Sequence, residues 1–225
     1  MTVGLRLALQ ERRAAELAER VHRLLAPFSG TEVVLDVGTG TGALAFALAP
    51  HVGEVVGVDT RADYLEAARK DAPANVRFVE GDAIALPFEY GSFDVSACLR
   101  LLHHVHRPAL AVSELARVTR PGGRIFVADQ LGSVDPLRSL ELDRFERLRD
   151  PSHERLLPDA DIRGYLDAND LVVTTFEVSH ERVDLEERLE LAEVPEAERQ
   201  RVRGLAPGAF YGIEIGWYVA RKPRP

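Results

Sequence analysis

A single cysteine, Cys98, excludes an intrachain disulfide. At the end of the apolar run 93–98 it reads as a small buried hydrophobe rather than as a nucleophile. No serine stands in a Gly-x-Ser-x-Gly elbow, so neither Ser96 nor Ser113 offers a hydrolase nucleophile. His103, His104 and His106 have no cysteine partners and no His-Glu-x-x-His spacing, which leaves zinc without a ligand set; no metal is expected. Positive charge is short as well. The 28 Lys and Arg against 36 Asp and Glu give a formal net charge of −8, which supplies no field to gather phosphate backbones, so nucleic acid is not an expected partner. The sequence has no unbroken apolar run of membrane-spanning length, and charges recur from Arg6 onward. The expectation is a soluble, cytoplasmic protein with no membrane insertion. Internal repeats and low-complexity tracts are also missing.

What is present is an alternation. Val33-Val34-Leu35-Asp36-Val37 suits a strand buried on both faces, and Gly38-Thr39-Gly40-Thr41-Gly42 lets the chain turn tightly and approach a ligand. A helix over 42–49 follows, with its N-terminal dipole end aimed at the same crevice. Strand 54–58, helix 61–71, strand 76–79, strand 93–98, helix 108–119 and strand 124–128 continue the pattern. It predicts a doubly wound, mainly parallel α/β sheet of Rossmann-like type, with helices on both faces and a ligand crevice at the carboxyl ends of the strands. Asp59, Asp82, the pair His103-His104 and Asp129 all fall at such ends. With 225 residues, 46% of them hydrophobic, the chain can bury its own core, and one domain over 1–225 is expected.

Gly38, Gly40, Gly42 and Ala43 also satisfy a dinucleotide-binding pattern, and Asp59 fits the ribose of either kind of cofactor, so an NAD-dependent oxidoreductase stays open on the glycines alone. The decision comes from downstream. Glu80-Gly81-Asp82-Ala83, then Leu86-Pro87-Phe88, Ser92-Phe93-Asp94-Val95, Leu102-His103-His104-Val105 and Arg120-Pro121-Gly122-Gly123-Arg124 occur in one order and spacing. Over residues 30–130 this series resembles the class I methyltransferases that use S-adenosylmethionine, within them the subgroup of ubiquinone and menaquinone biosynthesis C-methyltransferases. The resemblance implies a seven-stranded sheet with an antiparallel last strand, S-adenosyl-L-methionine as cofactor and S-adenosyl-L-homocysteine as product. It places Asp36 and the Gly38–Gly42 loop, Thr39 included, at the methionine part, Asp59 and Thr60 at the ribose, and Asp82 with Ala83 at the adenine edge. Leu99 completes that set. A family member that binds the cofactor without transferring methyl is the non-enzyme alternative.

Methyl transfer from a sulfonium depends mainly on orientation, so a base is optional; where the acceptor must lose a proton, His103 or His104 is the best-placed candidate. Adjacent residues are expected to point apart, so that only one faces the acceptor. An amphipathic helix over about residues 5–25 is expected to lie across the sheet or roof the pocket. Thus 1–30 reads as an N-terminal helix, 31–130 as the cofactor-binding core and 131–225 as acceptor-side elements: a helix over 136–149, the turn Arg149-Asp150-Pro151-Ser152-His153, a short helix over 158–168, a strand over 171–178, a charged helical lid over 184–208 and a final strand over 209–220. The resemblance implies that this turn lies near the acceptor side of the pocket; read from the residues alone, Asp150 and Ser152 only cap their neighbours. The expected partner is a small-molecule acceptor, and the expected assembly a monomer or homodimer.

Overall fold

Three valines in β1 (Val33–Val37) favour an extended chain, and their burial on both faces puts this strand near the middle of the sheet. A computed structural model describes residues 3–192 and 194–224; residues 1, 2, 193 and 225, which the single-domain expectation includes, lie outside it. After α1 (Val3–Leu25) and β1 come α2 (Ala43–Leu48), β2 (Glu54–Asp59), α3 (Ala62–Lys70), β3 (Val76–Glu80), β4 (Phe93–Leu99), α4 (Pro108–Val118) and β5 (Thr119–Gln130). Then follow α5 (Pro136–Arg149), α6 (Asp159–Asp167), β6 (Val172–Asp184), α7 (Leu185–Leu191), α8 (Glu196–Leu205) and β7 (Phe210–Arg221). The sheet order is β3-β2-β1-β4-β5-β7-β6. β1 through β5 are parallel to one another, and β7 runs antiparallel between β5 and β6. This is the doubly wound sheet that the alternation predicts, with the antiparallel last strand that the resemblance implies.

Period-two alternation sorts the core onto the two faces. Val34, Val55 and Phe126 pack with Leu25, Leu44 and Leu48 on one side; Leu35, Val56 and Ile125 pack with Leu115 and Ile162 on the other. No helix among the described residues is long and apolar enough to cross a membrane.

Two boundaries and one burial differ from the sequence reading, each for a local reason. β5 starts at Thr119, not 124, because Gly122 (φ 78°) and a register shift let Pro121-Gly122-Gly123 stay inside the strand. β6 runs on to Asp184 because β7 offers it a partner along its whole length, from Val172 opposite Arg221 to Asp184 opposite Phe210. The charged segment after it is less peripheral than its composition suggests. Asp184 caps α7 by accepting from the amides of Glu186 and Glu187, and Leu185, Leu189, Val194 and Val202 are all buried in the core.

Candidate active site at the strand ends

β1 and β4 are neighbours, and the chain order reverses between them, so the crevice of a doubly wound sheet opens at their carboxyl ends. The glycine loop fills its floor. Gly38, Gly40 and Gly42 have φ of 71°, 56° and 92°, which side chains rarely adopt, and a Cβ on Gly40 would meet the Arg6 guanidinium at 2.8 Å. Asp36, fully buried, accepts from the Thr39 hydroxyl at 2.7 Å and from the amide of Ala45 at 3.1 Å. Burial lifts its pKa to about 7, the nearby Asp59 charge adding to the rise while those two donors and Arg6 oppose it. Asp59 holds the loop from the next strand: one oxygen accepts from Gly40 N at 2.8 Å and the other from Arg61 N at 2.9 Å, so each keeps a lone pair for a further donor.

Thr60 is exposed beside Asp59, Ala83 is buried and Leu99 is half-buried at the end of β4. Asp82 is exposed and accepts from its own loop, the amide of Ile84, at 3.1 Å. α1 closes the crevice from above, as an amphipathic helix there should: Thr41 donates to Gln10 at 2.6 Å, and Arg6 lies 4.9 Å above the Tyr64 ring. Arg6 and Gln10 carried no motif, since a polar residue on a helix face reads as solvated.

The histidines occupy a single turn of 3₁₀ helix, Leu102–His104, after β4. Their side chains do not point apart; the rings lie 4.0 Å centre to centre, because the tight turn and the flanking 149–155 segment press them together. His103 Nδ1 hydrogen-bonds the buried carboxylate of Asp129 at the end of β5. A carboxylate can only accept, so Nδ1 carries a proton, and in the neutral ring that leaves the lone pair on Nε2. Burial pushes Asp129 up, but His103 and the amide of Gln130 at 2.7 Å outweigh it and hold the carboxyl below its ordinary range. His104 is different. Burial first, and the adjacent His103 second, lower its pKa to about 4, and its Nδ1 is engaged with Ser152 O at 3.0 Å.

The 149–153 turn caps itself and packs on His104. Asp150 accepts from the Ser152 amide and hydroxyl at 3.1 and 2.7 Å, which secures Ser152 against His104. His103 O accepts from Glu154 N at 2.9 Å, and His153 bonds Asp143 at 2.9 Å, with its ring 5.7 Å from that of His103. No cluster among the described residues is suited to a metal ion.

A glycine loop at the switch point, acidic strand ends beside it and a β7 inserted antiparallel next to β5 together make the fold of the S-adenosylmethionine-dependent methyltransferases. Residues 35–127 match the family model for a methyltransferase domain and form a domain of that family. The chain is 38% identical over 142 residues to the uncharacterized methyltransferase YcgJ of Bacillus subtilis (strain 168), covering 61% of this chain and 56% of that protein. The crystal structure of YcgJ matches at a TM-score of 0.87 and 24% identity, over 94% of this chain and all of that one (100%). A demethylmenaquinone methyltransferase of Clavibacter sepedonicus is 35% identical over 137 residues, 60% of this chain and 56% of that protein. The chain thus spans about half the length of the curated relatives it matches. The geranyl diphosphate C-methyltransferase from Streptomyces coelicolor A3(2), solved with Mg2+, geranyl diphosphate and S-adenosyl-L-homocysteine, shares the fold at a TM-score of 0.69 and 18% identity, over 94% and 80% of the two chains.

Proposed function

We propose that this protein moves a methyl group from S-adenosylmethionine to a small-molecule acceptor, with His103 as the base where the acceptor must lose a proton. The observation that carries this reading is the opposition, across the ends of β1, β4 and β5, of a glycine loop tied to Asp59 and an imidazole oriented by Asp129. The loop fits the cofactor: its positive-φ glycines let the backbone come close to a ligand at the strand ends, Asp59 has acceptor capacity for a ribose hydroxyl pair, and a buried carboxyl of high pKa, Asp36, awaits a positive charge. Bound there, S-adenosylmethionine supplies an already activated methyl on its sulfonium. What the chain adds is orientation, for which effective molarities of about 10⁵ or more are attainable, and a neutral Nε2 for the acceptor's proton. Asp129 balances the positive charge that His103 gains. His104, with its low pKa and its bond to Ser152, stays neutral and packs against His103. α1 on the cofactor side, and α5 with α7 and α8 on the acceptor side, exclude water; in this reading 184–208 is a lid anchored by its buried leucines and valines. The net charge of −8 favours a small acceptor over nucleic acid. Purified protein incubated with labelled S-adenosylmethionine and a panel of small phenols, enols, amines and acids is expected to release S-adenosylhomocysteine with one or more of them; binding without release across the panel would leave a sensor, not an enzyme.

Asp36 gives the binding step a pH dependence. Its folded pKa lies above the unfolded carboxyl value of about 4, so ionising it costs the free protein stability as the pH rises from there to about 7. A cationic cofactor favours the ionised form, so affinity is expected to climb with pH below 7, by at most about tenfold per unit, and to level off above it. Calorimetry between about pH 6 and pH 8 checks this, and the Asp36→Asn protein should lose that slope. A slope unchanged in Asp36→Asn would place the titrating group elsewhere.

A further inference from the structure

On the acceptor side of Asp129 lies a buried polar cluster that methyl transfer does not by itself require. Gln130, whose amide bonds Asp129, sits at the end of β5; Glu146 and Arg149 come from α5, Arg188 from α7 and Tyr211 from the start of β7. Four separate elements deliver these groups to one place next to the His103 pair. Glu146 and Arg149 are 2% and 7% exposed, and Arg149 donates to Glu146 Oε2 through Nε at 2.8 Å and Nη2 at 2.5 Å. Arg188, its side chain 15% exposed, has long contacts to Gln130 Oε1 at 3.4 Å and Glu146 Oε1 at 3.6 Å and lies beside Tyr211, but among the described residues it has no close carboxylate of its own. Glu181, on β6, is shared by Arg100 at 2.6 Å and Arg13 at 3.1 Å. Among the described residues, therefore, two buried guanidiniums share one carboxylate. A guanidinium held out of water without a matched anion is costly, and a fold keeps one where something else supplies the anion.

Tyr211 points to the same missing group. It is 9% exposed, its ring packs edge-on against Phe145 at 5.5 Å and lies 5.9 Å from the Arg188 guanidinium, and its buried hydroxyl has no hydrogen-bond partner among the described residues. Buried hydroxyls are seldom left unpaired. Burial raises its pKa, which keeps it a donor.

We infer that the methyl acceptor carries a carboxylate, received by Arg188 and by the Tyr211 hydroxyl, while Glu146 and Arg149 fix the position of Arg188. The inference rests on the methyl-transfer reading of the crevice and adds the chemical class of its substrate. A carboxylate so placed would complete the charge balance of the cluster and hold the rest of the acceptor toward His103.

Benzoate is the probe and benzamide, of the same shape without charge, the control; melting temperatures are read in the presence of S-adenosylhomocysteine. Benzoate is expected to raise the wild-type melting temperature saturably and benzamide not to. The response should vanish in Arg188→Met and need at least about threefold more benzoate in Tyr211→Phe, a change that removes only one donor. A wild type that responds to the two probes alike, or to neither, overturns the inference, and so does a full benzoate response in either variant. Should Arg188→Met not fold, wild type and Tyr211→Phe decide the matter between them. S-adenosylhomocysteine should by itself stabilise wild type and both folded variants. If it stabilises none of them, the methyl-transfer reading fails, whatever benzoate does.

Discussion

His103→Ala is expected to lower the methyl-transfer rate about 10²–10⁴-fold for an acceptor that must lose a proton, the range a positioned general base contributes. Its half-buried ring is bonded to Asp129 at the end of β5 and not to the glycine loop, so affinity for S-adenosylmethionine should stay within about threefold of wild type and the loss should fall in kcat. Asp129→Asn tests the positioning of the same ring. The carboxamide has the size of the carboxylate but no charge, and its amino group can face His103 Nδ1, which moves the proton to Nε2 and removes the lone pair from the acceptor side. Its rate should fall nearly as far as that of His103→Ala, and the double variant should lose little more, because the two residues act as a unit. Single-turnover kinetics with saturating cofactor measure this. A His103→Ala protein with an unchanged rate would make the pair a structural cap of the turn before α4.

Gly40→Val should abolish useful cofactor binding in a protein that stays folded. At φ 56° a β-branched residue is strained by about 1–3 kcal/mol, and its Cβ would press on the Arg6 guanidinium. The loop relieves both by shifting, which draws Gly40 N from Asp59, and a hydrogen bond to a charged acceptor is worth ~1.5–3 kcal/mol. Returning the loop to its binding geometry must then overcome the strain again, and near the upper end of the strain's range, roughly 2.7 kcal/mol, affinity drops about a hundredfold. Calorimetry beside a circular dichroism melt separates lost binding from lost fold. Normal affinity in this variant would mean that the loop is not the contact surface.

The cofactor half of this molecule was legible because each of its parts is local. A buried strand, three glycines with positive φ and an acidic residue closing the next strand are read from adjacent positions, and β1, β2 and the loop stand where the residues predict. The antiparallel β7 was legible only through the resemblance. The acceptor half was not legible, since Glu146 and Arg149 look like any charged pair on a solvated helix, Arg188 like one more charge in a polar lid and Tyr211 like a strand aromatic. Only the docking of α5, α7 and β7 buries them together. Val202 was a weak signal for the same reason, lone among charges yet completely buried. The histidine pair was found as residues but not as geometry: alternation along an extended chain predicts that neighbours diverge, and the 3₁₀ turn sets their rings side by side. Arg100, which adopts φ 52° at the end of β4 and pairs with Glu181, had no sequence signal at all.

The most direct measurement is calorimetric titration of the wild-type protein and of Asp59→Ala with S-adenosylmethionine and with NADH. Asp59 anchors Gly40 and Arg61 and offers its remaining lone pairs to the ribose, so wild type should bind S-adenosylmethionine saturably and NADH not at all, and Asp59→Ala should bind the former at least about tenfold more weakly. Binding of NADH in place of S-adenosylmethionine, or an affinity for S-adenosylmethionine that Asp59→Ala leaves unchanged, would contradict the account.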